Sequence, residues 1–125
     1  MDKLITSSSK TIRWLSTIKA KVEEKNPSLT YSEAKYWASF KSPKTNRNIA
    51  YLQPQKTQIR LFTRLATSFN SNLHTTPSSH TWADEFPSIF TIRSDDSINK
   101  AIEFITSSYE KDFKRSSIVE IQNVQ

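Results

Sequence analysis

Cationic and aromatic side chains share one parity in each of two segments that alternate with the period of a β-strand. The residues on these faces are Lys35, Trp37, Ser39, Lys41, Arg60, Phe62 and Arg64. Because successive side chains of a strand point to opposite sides, each set lies on a single face. Lysine and arginine neutralise phosphates, and an aromatic ring offers a platform on which a base can stack. The two segments therefore predict an open, basic and aromatic sheet face that binds nucleic acid, either DNA or RNA.

The turn after the first segment extends this positive surface through Lys44 and Arg47. The chain carries 18 Lys and Arg against 12 Asp and Glu, a net charge of +6, which favours a polyanionic partner. The same pattern also fits an ordinary solvated face, because open antiparallel sheets carry long charged side chains and an occasional aromatic pair. A third interpretation is a protein-interaction or homo-oligomerisation surface that uses the same aromatic rings as anchors.

Two histidines and a tryptophan form a second group of candidate residues. His74, His80 and Trp82 lie in an aperiodic segment, residues 66–85, that is rich in Ser, Thr and Asn. Long loops in compact domains are often functional, so these side chains are candidates for a small-molecule or enzymatic site beneath the loop. The plainer interpretation is that both histidines are exposed loop residues without a chemical role.

Other catalytic or metal-binding chemistry has little support in the sequence. The 125-residue chain has no Cys and no Gly, which excludes thiolate chemistry, glycine-dependent phosphate loops and the nucleophile elbow. The acidic groups with a suggestive spacing are Asp84-Glu85, Asp95-Asp96, and Glu33 followed by Lys35. The pair at 95–96 fits the start of a helix better than a metal site, and a three-residue nuclease-like spacing is weak support. We expect a non-enzymatic module without cofactor or metal.

The elements that position these residues begin with a helix. Its apolar face, at helical spacing, is Ile12, Leu15, Ile18 and Val22. Ser8 or Ser9 supplies the N-cap, and the helix ends at Asn26 because a residue before proline avoids the helical conformation.

Three strands are predicted after this helix. Apolar residues alternate at residues 32–41, 49–53 and 57–65, with a turn cluster at residues 42–48. The second strand ends at Pro54. The links are too short for crossover helices, so the three strands form an antiparallel meander.

A fourth strand, residues 86–93, and a second helix complete the predicted fold. The apolar face of that helix is Ile98, Ala101, Ile102, Ile105 and Tyr109. Residues 116–125 fit either a frayed tail or a docked strand. The order predicts one α+β domain over residues 1–125: helix, three-stranded antiparallel meander, long loop, fourth strand and C-terminal helix, with both helices on one sheet face.

Several short motifs resemble a known family. They are the stretch from Tyr36 to Phe40, the turn Gln53-Pro54-Gln55-Lys56, the pair His80 and Trp82, and the segment from Ile98 to Glu110. Over residues 22–110 the chain resembles small uncharacterised domains labelled "predicted transport protein", some of which accompany restriction-type endonuclease domains. The resemblance supports the predicted order of elements, favours a role with nucleic acid and implies no catalytic residues. The family's loop contains Gly-His-Trp-Gly, whereas this chain has no Gly and carries Thr81 between the His and the Trp.

The sequence predicts a cytoplasmic protein that does not contact a membrane. No stretch approaches the ~18 consecutive apolar residues that cross a bilayer, and the first residues lack the apolar run of a secretory signal. The absence of Cys fits a reducing compartment. The transport label of the family therefore has no physical counterpart in this chain.

Overall fold

A helix, a group of strands and a second helix follow one another along the chain. The structure is a computed structural model that describes residues 7–77, 79 and 83–124, with the backbone alone for residues 113–124. In chain order the elements are α1 (Ser9–Lys25), β1 (Thr30–Glu33), β2 (Ala38–Ser42), β3 (Arg47–Pro54), β4 (Ile59–Thr63), a 3-10 turn (Thr67–Phe69), β5 (His74–Thr75), β6 (Ser88–Ile92) and α2 (Ser97–Val124).

The strands form one antiparallel sheet of six strands in the order β1-β2-β3-β4-β6-β5. Short turns join β2, β3 and β4, which confirms the predicted meander. The predicted fourth strand is β6, and it pairs with β4. The register places Ser39, Tyr51, Phe62 and Ile89 side by side across four strands. The α+β class is confirmed, although the sequence predicted four strands and the sheet has six.

Helix α1 begins and ends as predicted. Ser8 is its N-cap, and the side chain of Thr11 reaches back to the Ser8 backbone to complete a capping box. Asn26 is the C-cap, directly before a proline. The predicted apolar face is shifted, because Ile12 is 38% exposed whereas Trp14 is buried. Trp14 is accommodated there because its indole Nε1 donates a hydrogen bond to Asp95 at 2.6 Å.

The prediction of one strand at residues 32–41 is wrong. The segment is a hairpin, in which β1 ends at Glu33 and β2 begins at Ala38. The backbone N–H of Ala34 donates to the carbonyl of Trp37 at 2.7 Å and closes the turn. Residues 34–37 contain none of the Gly, Pro, Asn or Asp that usually mark a tight turn. The alternation of apolar residues runs through the turn, so the sequence pattern conceals it.

Both helices pack on one face of the sheet, as predicted. The main core joins residues of α1 and α2 to one sheet face, with Ile18, Ile105, Leu52 and Leu61 all fully buried. A second, smaller cluster lies on the opposite face. It consists of Phe62, Phe86 and Ile89, with Trp37 and Tyr51 packed against it. The sheet therefore buries apolar side chains on both of its faces.

The segment predicted as a long loop contains the 3-10 turn and β5, which pairs with β6. Helix α2 then runs to Val124, so residues 118–124 are helical and do not form a docked strand. Asp95 accepts the hydrogen bond of Trp14 and so ties the start of α2 to α1. Within the described residues, neither helix is long and apolar enough to cross a membrane.

The turn between β2 and β3 depends on a left-handed residue in a chain that lacks glycine. Asn46 has φ 58°, and its N–H donates to the carbonyl of Ser42 at 2.8 Å. Asparagine tolerates this conformation better than other residues with a Cβ. The turn places Arg47 at the start of β3.

Replacing Asn46 tests this constraint. We expect Asn46→Ala to lower the free energy of unfolding by about 1 kcal/mol, because a Cβ without a local hydrogen-bonding group strains the left-handed region. Asn46→Gly is the matched control and should leave stability unchanged or slightly higher. Urea unfolding followed by circular dichroism measures both. Equal urea midpoints for Asn46→Ala and the parent chain would contradict the left-handed conformation of Asn46.

Candidate anion-binding cleft

A cleft of about 400 Å³ opens at the end of the sheet where β2 ends, β3 begins and β4 ends. We call this end the basic end, because cations from separate elements meet there. The cleft is lined by Arg47, Arg64, Asp84, Glu85, Pro87, Lys111 and Asp112. We call this set the anion cleft. It brings together Arg64 of the predicted binding face, Arg47 of the adjoining predicted turn and one cation from α2.

Arg47 is held by a buried carboxylate. Its Nη2 lies 2.6 Å from Oδ1 of Asp112, and the hydroxyl of Thr45 donates to Oδ2 of the same carboxylate at 2.6 Å. Asp112 is only 2% exposed, so these bonds compensate a charge that water cannot reach. The Nε of Arg47 is buried and has no hydrogen-bond partner in the described part of the chain. The Nη2 contact with Asp112 is therefore the one that fixes this guanidinium.

Arg64 lies just after β4 and is fixed on two sides. Its Nε donates to the carbonyl of Asn48 at 2.9 Å, and its guanidinium stacks on the ring of Phe86 at 4.6 Å. Nη2 lies 3.9 Å from Oε2 of Glu85, a separation too long for a direct hydrogen bond. Burial lowers the pKa of the Arg64 guanidinium, and the charge of Arg47 lowers it further, while Asp112 and Glu85 oppose both effects. Two like charges are thus crowded together.

Lys111 supplies the third cation. Its Nζ donates to the carbonyl of Arg64 at 2.9 Å, which holds the ammonium group beside the end of β4. Ser108, one turn earlier on α2, accepts a hydrogen bond from the N–H of Arg64 and donates to the carbonyl of Ile49. These bonds set the position of α2 relative to β3 and β4. The anion cleft is therefore formed by a helix hydrogen-bonded to two strand ends.

Sequence reasoning missed Lys111 and Asp112 as site residues. The predicted apolar face of the second helix stopped at Tyr109, whereas α2 continues to Val124. A signal was present, because Ser108 and Asp112 continue the buried stripe of Ile105 at helical spacing and are themselves buried. Polar residues on an apolar stripe indicate a buried polar contact.

The open aromatic face predicted from strand parity does not exist in that form. Phe62 does lie on the face opposite the helices, but it is 0% exposed. The ring of Trp37 packs edge-on against Phe62 at 5.5 Å, and Phe86 packs against Tyr51 at 4.9 Å. Parity identified the face correctly, but it gave no information about the rings of neighbouring segments that cover it.

The predicted cations are divided between the two ends of the sheet. Lys35 lies in the turn between β1 and β2, and Arg60 lies near the start of β4, both toward the end away from the anion cleft. Lys41 and Lys44 belong to the basic end, next to the start of β3. Within the predicted set, the structure therefore brings Arg47 and Arg64 together and separates both from Lys35 and Arg60.

The candidates from the long loop are only partly described. His74 is an exposed residue of the edge strand β5. His80 and Trp82 lie outside the described residues. Asp84 and Glu85, treated in the sequence as a possible acidic pair, line the anion cleft. Among the residues that the structure describes, no group of three His, Asp or Glu side chains could hold a metal ion.

A second, smaller groove lies at the edge of the sheet formed by β1. It has a volume of about 290 Å³ and is lined by Ser32, Glu33, Ala34, Trp37, Ser39 and Tyr51. We call it the edge groove, because β1 is a terminal strand of the sheet. One wall is the exposed side of the aromatic cluster, so the edge groove is where that cluster meets solvent.

Comparison with known proteins finds no relative. The chain matches no family model, no curated protein and no solved structure. The resemblance to the domains labelled "predicted transport protein" stays a prediction.

Substitution of Phe62 distinguishes a core residue from a stacking platform. We expect Phe62→Ala to lower the free energy of unfolding by about 3–5 kcal/mol, because it leaves a cavity in a closed aromatic cluster. Tyr36→Ala, at a 40% exposed ring, is the control and should cost about 0.5 kcal/mol or less. Chemical denaturation measures both variants. A Phe62→Ala chain of unchanged stability would contradict the core assignment.

Proposed function

We propose that this protein is a non-enzymatic module that binds nucleic acid, with its phosphate contacts at the basic end of the sheet. The observation that carries the proposal is the convergence of Arg47, Arg64 and Lys111 on one cleft. These residues come from β3, the end of β4 and α2, so no local sequence feature explains their proximity. Guanidinium and ammonium groups held in a partly enclosed site are suited to phosphate oxygens.

The surroundings of the anion cleft support a polyanionic ligand. Lys41 and Lys44 lie at the same end of the sheet and would extend the contacts beyond the cleft. The chain carries a net charge of +6, which promotes association with polyanions over a distance set by the ionic strength. Asp112, Asp84 and Glu85 subtract from the local charge of the cleft. Asp112 is buried and paired with Arg47, whereas Asp84 and Glu85 are exposed.

The aromatic rings have a smaller part in this proposal than strand parity predicted. Phe62 is fully buried and cannot stack on a base. Trp37 is half-buried and lines the edge groove, so its exposed edge is the remaining candidate for a base contact. Phosphate contacts should therefore dominate the affinity, and the binding should depend strongly on salt and weakly on sequence.

A paired substitution tests the proposal. Arg64→Gln with Lys111→Gln removes two cations from the anion cleft and leaves the Arg47–Asp112 pair intact. We expect weaker binding of a labelled single-stranded oligonucleotide and a slope of log K against log salt that is smaller by about 0.7 per lost contact. Fluorescence anisotropy at several salt concentrations measures both quantities, with DNA and RNA of one sequence.

The matched control removes the same number of positive charges at the other end of the sheet. Lys56 and Arg93 are both exposed there, and Lys56→Gln with Arg93→Gln should leave the slope near that of the parent chain. Binding that does not respond to salt, or an equal loss in both paired variants, would overturn the cleft as the phosphate site. Absence of binding by the folded parent chain would overturn the function itself.

A second candidate function is self-association through the edge groove. Two observations favour it: partly buried rings of the aromatic cluster line the groove, and β1 is a terminal strand of the sheet. An edge strand beside an apolar groove can pair with a strand of another chain, with an aromatic ring as anchor.

Replacing Trp37 separates this candidate from the first. If the protein self-associates by this route, the complex should persist at high salt, and Trp37→Ala should weaken it by about 30-fold or more. Sedimentation velocity over a range of protein concentrations measures the association. A monomer at all concentrations, or a complex unaffected by Trp37→Ala, would exclude the edge groove as its interface.

A further inference from the structure

The anion cleft is a partly open recess of about 400 Å³. It is lined by the start of β3 and the end of β4, by α2, and by residues 84–87. We propose that this cleft binds the terminal phosphate monoester of a nucleic-acid strand, an inference that rests on the proposed function. The shared chemistry of such ends is a dianionic phosphate with three unesterified oxygens.

Two cations of the recess match a dianion that displaces the exposed carboxylates. Asp112 offsets the charge of Arg47, and the exposed side chains of Asp84 and Glu85 balance those of Arg64 and Lys111. A ligand that moves these two carboxylates toward solvent meets the two charges of Arg64 and Lys111. A phosphate monoester carries a charge of about −1.5 to −2 at neutral pH, whereas each backbone diester carries only one negative charge. Two cations so close together are therefore better matched by a strand end than by a single internal phosphate.

The donors are already oriented. Phe86 and the carbonyl of Asn48 hold the plane of Arg64, so its remaining N–H groups need little reorganisation to bind an anion. Lys111 donates one of its three N–H groups to the carbonyl of Arg64, and two further N–H groups can donate to a ligand. A phosphate with three free oxygens can accept from both Arg64 and Lys111, with Arg47 beside them in the lining of the cleft.

The carboxylates of Asp84 and Glu85 form an acidic wall of the cleft, which favours the end of a nucleic-acid strand over a continuous strand. Asp84 and Glu85 are exposed residues that line the side formed by the loop before β6. A backbone crossing the cleft would bring its next phosphate toward these carboxylates, where like charges repel. A terminal phosphate has no further phosphate on its far side, so a strand end avoids this repulsion.

Glu85 marks the position of the ligand. Its Oε2 lies 3.9 Å from Nη2 of Arg64, and its side chain is 68% exposed. A loosely held, exposed carboxylate is easily displaced, because such ion pairs contribute little free energy. The phosphate would replace Glu85 beside Arg64 and form the short hydrogen bonds that Glu85 does not.

The first test compares the ends of one single-stranded oligonucleotide. We expect a 5′-phosphorylated or 3′-phosphorylated strand to bind about tenfold or more tightly than the same strand with hydroxyl ends, since the monoester gains charge-assisted hydrogen bonds. The two arms identify which end is recognised, and inorganic phosphate should compete with it. Equal affinity of all three strands would overturn this inference and leave the proposed function standing. Failure of all three to bind would overturn the proposed function.

Two variants, each with a matched control, locate the effect in the cleft. Arg64→Gln with Lys111→Gln should abolish the preference for a phosphorylated end, whereas Lys56→Gln with Arg93→Gln should retain it. Glu85→Gln removes the competing carboxylate and should tighten binding of the phosphorylated strand by about two- to fivefold. Glu24→Gln, at an exposed position of α1, is its control for net charge. A phosphate preference that persists without Arg64 and Lys111 would place the recognition elsewhere.

Discussion

A buried carboxylate organises the basic end of this protein. Asp112 is almost completely excluded from water, so its charge must be met by donors that the fold holds in place. Arg47 and Thr45 provide those donors at 2.6 Å each, and both belong to the turn and strand that follow β2. The contact therefore fixes α2 against the start of β3. Together with the bonds of Ser108 to Arg64 and Ile49, it places Lys111 beside the two arginines.

The two-sided packing of the sheet decides where polar function can reside. Helices cover one face, and the cluster built around Phe62 and Phe86 closes much of the other. A sheet buried on both faces has little area left for a flat binding surface. Charged side chains are displaced to the strand ends and turns, where water reaches them. The convergence of Arg47 and Arg64 at one end follows from this constraint, because both lie where a strand meets a turn or loop.

Local signals predicted the elements that depend on local chemistry. Helix α1 was found because an N-cap serine, apolar periodicity and a following proline all agree on its bounds. The hairpin of β1 and β2 was missed because its turn lacks the residues that mark turns, while its apolar alternation is uninterrupted. Trp14 is buried in α1 with its indole Nε1 bonded to Asp95, which is distant in sequence. The periodicity of apolar residues cannot predict such a long-range contact.

The sequence by itself determined the positive charge, the α+β order of elements, the meander and the face of the sheet on which Phe62 lies, because composition and side-chain period are local properties. Only the tertiary structure decided that this face is covered and that Arg47, Arg64 and Lys111 share one cleft. The physical reason is that parity assigns a side chain to a face but carries no information about what packs against it. Burial and convergence are set by segments far apart in the chain.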